Sequence, residues 1–391
     1  MLECIQKINR AILENKELIE EWFHIHRVSD DKLLYSSMDI RYSGFKMAPV
    51  DFNLFPAGFN NLSPLSQEKT VDILRYNGIQ NKNIVIIVEN FSKNLKYFDS
   101  IKVLQDILIQ VGNQVKIATL GDVQYTGDLF DISVLQEKGG ALCVHDNFYP
   151  EYIILNADLS EGLSEILLKY SNNIQPSIYF GWFNRSKYEY FMIYNQLVRD
   201  LCQRISIDPW LLTTSLDVVE NVSYKDKRNL DLLSEKISKM LKYINSKYQE
   251  YDIKETPYVV VKSDRGTYGM SVIDIYNEKD ILNVNKRIRK KLHINKGGSI
   301  VDRVMIQEGI TTCDKYEGFP AESLIYSIKE EVVAYLVRYN SIKNKHNNLN
   351  SRGAVFADTS HSIDEVRRNV YRFINRLASL ASHKEPLQGK T

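Results

Sequence analysis

Residues 259–270, Val-Val-Val-Lys-Ser-Asp-Arg-Gly-Thr-Tyr-Gly-Met, hold the sharpest chemical signal in the chain. A lysine ending an apolar strand, Lys262, is followed at once by a small glycine loop. Such a segment sets one fixed cation and several free backbone N–H groups over a polyphosphate. Lys262, Gly266, Thr267, Tyr268, Gly269 and Met270 are therefore candidates for binding a nucleotide. The loop is not a Walker loop, because Gly-Lys-Ser/Thr is missing, and not the dinucleotide fingerprint, because a strand rather than a helix follows. A hairpin with a glycine turn and a solvated lysine is the alternative. Downstream, the apolar stretch 304–306 ends in Gln307 and Glu308 before Gly309, and a strand of this kind can offer backbone groups to an adenine edge.

The elements that must position these residues follow from the patterning. Residues 33–41 and 45–53 read as two strands around Ser43 and Gly44, then a loop with Pro56, Gly58 and Pro64. Residues 83–89, 95–111 and 114–120 read as strand, helix and strand, a βαβ unit and hence a parallel sheet. The middle of the chain is mostly helical, over 163–170, 187–205 and 230–248. Strands near 258–262, 271–276, 304–308, 322–328 and 332–338, a basic helix over 278–292 and a last helix over 363–381 complete the pattern, with a frayed tail from His383. An amphipathic helix over 5–22 precedes it all. The fold class expected is α/β (α+β), with parts at 1–130, 131–250 and 251–391.

Composition removes several classes. The 391 residues carry 50 Lys+Arg against 49 Asp+Glu, a formal charge of +1, so no global field attracts nucleic acid or an anionic bilayer. With 44% hydrophobic and 25% charged residues the chain is too apolar for a disordered one. Cys4, Cys143, Cys202 and Cys313 form no C-x-x-C pair, which fits a reducing cytoplasm. No apolar run approaches the ~20 residues of a membrane helix. His24 and His26 lack a third ligand nearby, the basic run 286–291 lacks interleaved aromatics, and Cys313 lacks a histidine partner, so each reads as ordinary structure.

The order of lysine strand, glycine loop, basic helix and apolar strand ending in Gln-Glu is that of ATP-grasp ligases. Residues 39–62, Asp-Ile-Arg-Tyr-Ser-Gly-Phe-Lys-Met-Ala-Pro-Val-Asp-Phe-Asn-Leu-Phe-Pro-Ala-Gly-Phe-Asn-Asn-Leu, closely resemble the proteobacterial glutamate–cysteine ligases of the Acidithiobacillus type. Glu89-Asn90, Gly181-Trp182, the loop after Lys262, Gln307-Glu308-Gly309 and Asn348-Leu-Asn350 fall in that family's order, so the likeness covers nearly the whole chain. Arg265, Phe52 and Phe183 depart from the family pattern, which bears on substrate preference more than on ATP.

The resemblance implies an enzyme that joins L-glutamate to L-cysteine with ATP, through an acyl phosphate, as the first step of glutathione synthesis. Asp51-Phe-Asn53 resembles the acidic-x-Asn pair with which ATP-grasp enzymes hold magnesium, placed early as in eukaryotic glutathione synthetase. The implied Mg2+ ligands are Asp51, Asn53 and Asp264; strand-end capping before Pro56 is the other reading of the first two. Side chains at i and i+2 on a strand share a face, and the triphosphate and water would complete about six oxygens. Arg41, Lys46 and Arg338 are implied as cations for the carboxylates and phosphates, or else are ordinary strand-end charges. Asn60, Asn61, Arg185, Asn348, Asn350 and Arg352 are implied near the substrates, with Trp182, Asn184 and Arg185 as readers of the cysteine side chain or simply a helix start. The partners expected are small molecules, with no nucleic acid and no membrane, and an oligomer is left open. Competing readings are a ligase with another amino-acid acceptor, a non-catalytic nucleotide-binding protein and a ligand-free scaffold.

Overall fold

Two helices open the chain where the apolar spacing predicts one, α1 (Glu3–Glu14) and α2 (Lys16–His26). The break is Asn15, whose side-chain amide donates to the carbonyl of Ala11 at 2.9 Å and so competes with the helix ladder. The computed structural model describes residues 3–28, 33–89, 95–123, 125, 127–129, 131–145, 147–160, 162–223, 226–265, 272–282 and 303–386. The expected hairpin follows as β1 (Tyr35–Tyr42) and β2 (Met47–Asn53), turned at Gly44 with φ +92°, a conformation glycine adopts without strain.

After α3 (Pro64–Tyr76) comes the βαβ unit: β3 (Asn83–Ile87), α4 (Leu95–Gln110) and β4 (Gln114–Thr119). Residues 84–87 are all buried, as a central strand of a parallel sheet must be when both faces are covered. The chain runs on through β5 (Ile132–Val134), a ribbon of β6 (Gln136–Lys138) and β7 (Ala141–Cys143), β8 (Tyr152–Leu155), α5 (Glu165–Lys169) and β9 (Ile174–Gln175). The parallel sheet has the order β5-β4-β3-β8-β9. Both long helices of the middle stretch are present, α6 (Lys187–Arg204) and α7 (Lys227–Glu250), and between them lies a strand the pattern does not show, β10 (Leu216–Val219).

That strand joins β11 (Val259–Ser263), β12 (Ile273–Ile275) and β13 (Val304–Glu308) in an antiparallel sheet of order β10-β13-β11-β12. The predicted basic helix begins as a single 3-10 turn, Glu278–Ile281. Its remainder lies outside the described residues, as do Gly266, Thr267, Tyr268, Gly269 and Met270. The last stretch supplies β14 (Lys315–Tyr316), β15 (Phe319–Ile328), β16 (Glu331–Asn340), β17 (Ala354–Asp358) and α8 (Glu365–His383). β1 lies between β2 and β15, so the early hairpin and the late strands share one antiparallel sheet, β17-β16-β15-β1-β2. Among the described residues the fold is mixed α/β, with one parallel sheet, two larger antiparallel sheets and the small β6–β7 ribbon.

Two apolar clusters hold these layers. Ile101, Leu104 and Leu108 of α4 gather with Ile84 and Ile86 of β3 and with Leu324 and Tyr326 of β15. Trp22 of α2, Tyr190 of α6, Ile237 of α7, Val261 of β11 and Ile374 of α8 belong to the other. The segment after α8 is not frayed at its start: Glu385 is buried, with Arg185 Nε donating to its two carboxylate oxygens at 3.1 and 3.0 Å.

At the end of β13, the N–H of Gly309 donates to the carbonyl of Tyr258 at 2.9 Å, and a Cβ there would stand 2.4 Å from the fully buried Tyr258 ring. Gly309→Ala is therefore expected to destabilise the fold by ~1–3 kcal/mol. Urea unfolding checks it, through a lower midpoint with an unchanged slope.

Candidate active site

Strand alternation sets Asp39 and Arg41 on one face of β1, and Asp51 and Asn53 on one face of β2. In register, Asp39 stands opposite Asp51, and Glu322 of β15 opposite Arg338 of β16. Four of these charges interlock. Arg41 Nε donates to Glu322 Oε2 at 2.6 Å, Arg338 donates to Glu322 Oε1 at 2.8 Å from Nε and 2.6 Å from Nη2, and Arg338 also donates to Asp39. Burial opposes the charge on Glu322, yet Arg41 and Arg338 hold its carboxyl below the usual range. Asp39 is shifted the other way: burial raises it, Arg338 opposes the rise, and Glu322 and Asp51 add repulsion.

Asp51 faces a second set of cations. Lys187, at the first position of α6, donates from Nζ to Asp51 Oδ1 at 2.6 Å. Burial opposes the negative charge, but Lys187 and Lys262 bring the Asp51 carboxyl down to about 2. Lys262, near the end of β11, donates to the carbonyl of Val50 at 2.9 Å. Burial pushes its ammonium down to about 8; Asp51 resists that shift and Lys187 adds to it. Behind this trio, the backbone N–H groups at the start of α6, which have no acceptor within the helix, are satisfied in turn: that of Lys187 donates to the Asp264 carbonyl at 3.0 Å, that of Tyr188 to Asp264 Oδ1 at 2.7 Å and that of Glu189 to Ser186 Oγ at 3.1 Å.

Two spaces meet at these charges. A cleft opens between the two larger antiparallel sheets, bordered by Lys262, Gln307, Glu322 and Asn348. A second compartment reaches from the hairpin to the parallel sheet, bordered by Asn60, Asn61, Asn156 and Trp182. Asp39, Asp51, Lys187, Arg338 and Asn350 line both, so they form the junction. A phosphoryl group entering from one side and a carboxylate from the other would meet there beside two lysines and an arginine.

The remaining candidates are distributed as follows. Arg41 lines the cleft but is committed to Glu322 and to the carbonyls of Ile310, His346 and Asn347, at 3.1, 3.1 and 2.5 Å. Lys46 does not line it; it is buried, with Nζ 2.6 Å from Glu308 Oε1 and 4.1 Å from the centre of the Trp210 ring. Glu308 also accepts from Trp210 Nε1 at 3.1 Å and Ser215 N at 2.9 Å, while Gln307 donates to Thr214 Oγ1 at 3.0 Å. Asn53 Oδ1 accepts from Phe55 N at 3.0 Å in a local turn. Asp264 is fully buried under α6, where Arg303 Nη1 lies 3.2 Å from its carboxylate. Arg185 is tied to Glu385 and to the carbonyl of Phe52 at 2.7 Å, and Arg352 is exposed. Lys187, Asp39 and Glu322 escape the sequence reading. Ser186 as an N-cap could have flagged a helix start, but nothing local shows that the next residue meets β2.

The family model for glutamate–cysteine ligase (GshA) matches residues 9–386. The chain belongs to the glutamate–cysteine ligase family. The ligase is similar over 97% of its length, at 29% sequence identity and a TM-score of 0.84, to a solved structure from Methylobacillus flagellatus KT provisionally described as a gamma-glutamylcysteine synthetase, of which 95% is covered. D-alanyl-alanine synthetase A from Vibrio cholerae, at 6% identity and a TM-score of 0.39 over 76% of this chain and 80% of that one, is too distant to carry an argument. The same holds for a bifunctional glutathione synthetase from Pasteurella multocida, at 12% identity and 0.19 over 50% and 29%. No match was found among the curated proteins. The ligase is an enzyme of glutathione biosynthesis, and among its described residues no helix is long and apolar enough to cross a membrane.

In this ligase the Lys46–Glu308 pair, with both side chains 1% exposed, ties the β1–β2 turn to the end of β13. Removing one partner strands the other charge, so Lys46→Met is expected to cost ~3–5 kcal/mol in chemical denaturation. The double change Lys46→Met with Glu308→Leu is expected to recover part of that loss, since the unpaired charge is gone.

Proposed function

We propose that ATP lies in the cleft with its terminal phosphate at the junction, and that the ligase makes γ-glutamylcysteine there. The observation that carries this reading is the convergence of Asp51, Lys187 and Lys262, from three separate elements, where the two compartments meet. An oxygen of the glutamate γ-carboxylate attacks the terminal phosphorus, the bond to the β-phosphate oxygen breaks, and ADP leaves. The cysteine nitrogen then attacks the acyl carbon of the mixed anhydride, phosphate departs and the nitrogen sheds a proton. Two anions must approach in line, so the demand on the protein is charge neutralisation and alignment more than a nucleophile. Lys262, Lys187 and Arg338 answer that demand, while Arg41 fixes the loop 345–350 through backbone carbonyls.

A divalent cation, in this reading Mg2+, suits the donor set. Asp39 and Asp51 are opposed carboxylates whose repulsion a hard cation relieves, and Asn53 lies on the same face as Asp51. Among the described residues no group of three or more His, Cys, Asp or Glu could hold such an ion by itself, so phosphate oxygens and water would complete the shell. When bound, the cation would offset triphosphate charge. Asp264 then acts from behind, through the start of α6. The early acidic-x-Asn strand and the late lysine strand support a permuted ATP-grasp arrangement resembling that of eukaryotic glutathione synthetase, in a ligase of the proteobacterial Acidithiobacillus type. Four free cysteines suit a reducing cytoplasm.

The test is a product assay by mass with glutamate, cysteine and Mg-ATP, run against each omission; a dipeptide formed only in the complete mixture is expected. Lys262→Ala is expected to lower glutamate-dependent ADP release ~100-fold or more with an unchanged circular dichroism spectrum, and near-normal activity would refute the assignment. A second prediction concerns pH. Lys262 loses its proton in the free enzyme above about 8, so the KM for ATP is expected to rise from there, and Lys262→Arg to remove that rise.

A further inference from the structure

The parallel sheet has a switch point. From β3 the chain moves outward through β4 to β5, and from β8 it moves the other way to β9. In open sheets of this kind ligands bind in the crevice beyond the carboxyl ends of the two strands where the order reverses. Glu89 follows β3, and Asn156 and Asp158 follow β8, so all three stand at that crevice, which is the inner end of the second compartment.

Two buried polar atoms there lack a partner among the described residues. Asn156, 3% exposed, donates from Nδ2 to Tyr35 Oη at 2.9 Å and to the carbonyl of Pro56 at 3.2 Å. Tyr35 spends its own proton on the carbonyl of Leu155 at 2.6 Å, so the amide can only be oriented with its oxygen free. Asn156 Oδ1 has no donor among the described residues, and Trp182 Nε1, on a side chain 4% exposed, has no acceptor. Buried groups left in this state are rare and costly, and an unmet acceptor and an unmet donor bordering one compartment call for a ligand carrying both functions. The nearby carboxylates are fixed: Glu89 Oε1 accepts from Asp158 N at 3.0 Å, and Asp158 Oδ1 accepts from Ser160 N at 3.0 Å and Ser160 Oγ at 2.6 Å.

We propose that this crevice holds the α-amino-acid end of glutamate, its ammonium against Asn156 Oδ1 and Asp158 and its α-carboxylate against Trp182 Nε1. The γ-carboxylate then extends to the junction at Lys187 and Arg338, which line the same compartment. The inference rests on the ligase reading above and adds which substrate the crevice takes. Carboxylates beside an amine keep it protonated and without a lone pair. That suits the donor acid, whose α-amine takes no part, and it would disable the acceptor, whose amine must attack.

The experiment compares glutamate with glutarate, which keeps both carboxylates but lacks the α-ammonium, using the full chain with saturating cysteine and Mg-ATP. The wild type is expected to prefer glutamate by ~100-fold or more in kcat/KM. Asp158→Asn, which retains the oxygen bonded to Ser160, is expected to shrink that preference about tenfold, and Trp182→Phe to raise the glutamate KM about tenfold, both without change in the KM for ATP or cysteine. Equal losses for glutamate and glutarate in Asp158→Asn, or a raised cysteine KM, would overturn the assignment; should Trp182→Phe not fold, the Asp158 ratio decides alone. Calorimetry of glutamate binding with Mg2+ and a non-hydrolysable ATP analogue separates the two levels. Binding that weakens in both variants of a chain that makes no dipeptide keeps the crevice and sinks the reaction, whereas dipeptide synthesis with normal kinetics in both variants does the reverse.

Discussion

One carboxylate paired with one ammonium group and within the field of a second sets the terms for the rest of the molecule. Asp51 comes from β2, Lys187 from the start of α6 and Lys262 from β11, and none of these elements touches another in sequence. Even a half-buried anion gains from fixed cations, because desolvation is repaid only by close and well-aligned partners. The same rule repeats two strands away, where Glu322 sits between Arg41 and Arg338. Together these charges join two sheets and a helix to one another at the junction of the two compartments.

The division of space follows from that arrangement. The antiparallel sheets face each other across the cleft, while the parallel sheet contributes only its carboxyl ends, through the residues after β3 and β8. A reactive acyl phosphate formed at the junction would be enclosed by protein on both sides, which limits its hydrolysis. In the proposed reading the nucleotide and the amino acids take separate compartments with a shared wall of five residues.

Much of this was legible along the chain. The βαβ unit, the two long helices and the strands of the last third announce themselves through local periodicity, and so does the lysine at the end of β11. The meeting of Asp51 with Lys262 is legible only through likeness to a known family. What local pattern cannot carry is partner choice. Lys46 reads as a cation available to substrate because its partner Glu308 is 262 positions away, and Arg41 because its carbonyl partners are 269 to 306 positions away. Lys187 is hidden for the opposite reason: a lysine in a first helical turn looks like any other, and only tertiary packing makes it a neighbour of β2. The break at Asn15 and the short strand β10 are lost because a polar residue within an apolar period, or four residues of strand between helices, falls below what periodicity resolves.

The position of β1 between β2 and β15 has a consequence for how the protein is born. A ribosome releases the hairpin early and its sheet neighbours late, so for most of translation β1 waits with one edge unpaired. Unsatisfied strand edges and contacts between remote parts of a chain make folding slow and association-prone. Charged residues on that hairpin, Asp39 and Arg41 among them, oppose premature pairing with another nascent copy. The charges that later interlock with β15 and β16 thereby guard the unfinished polypeptide while it is being made.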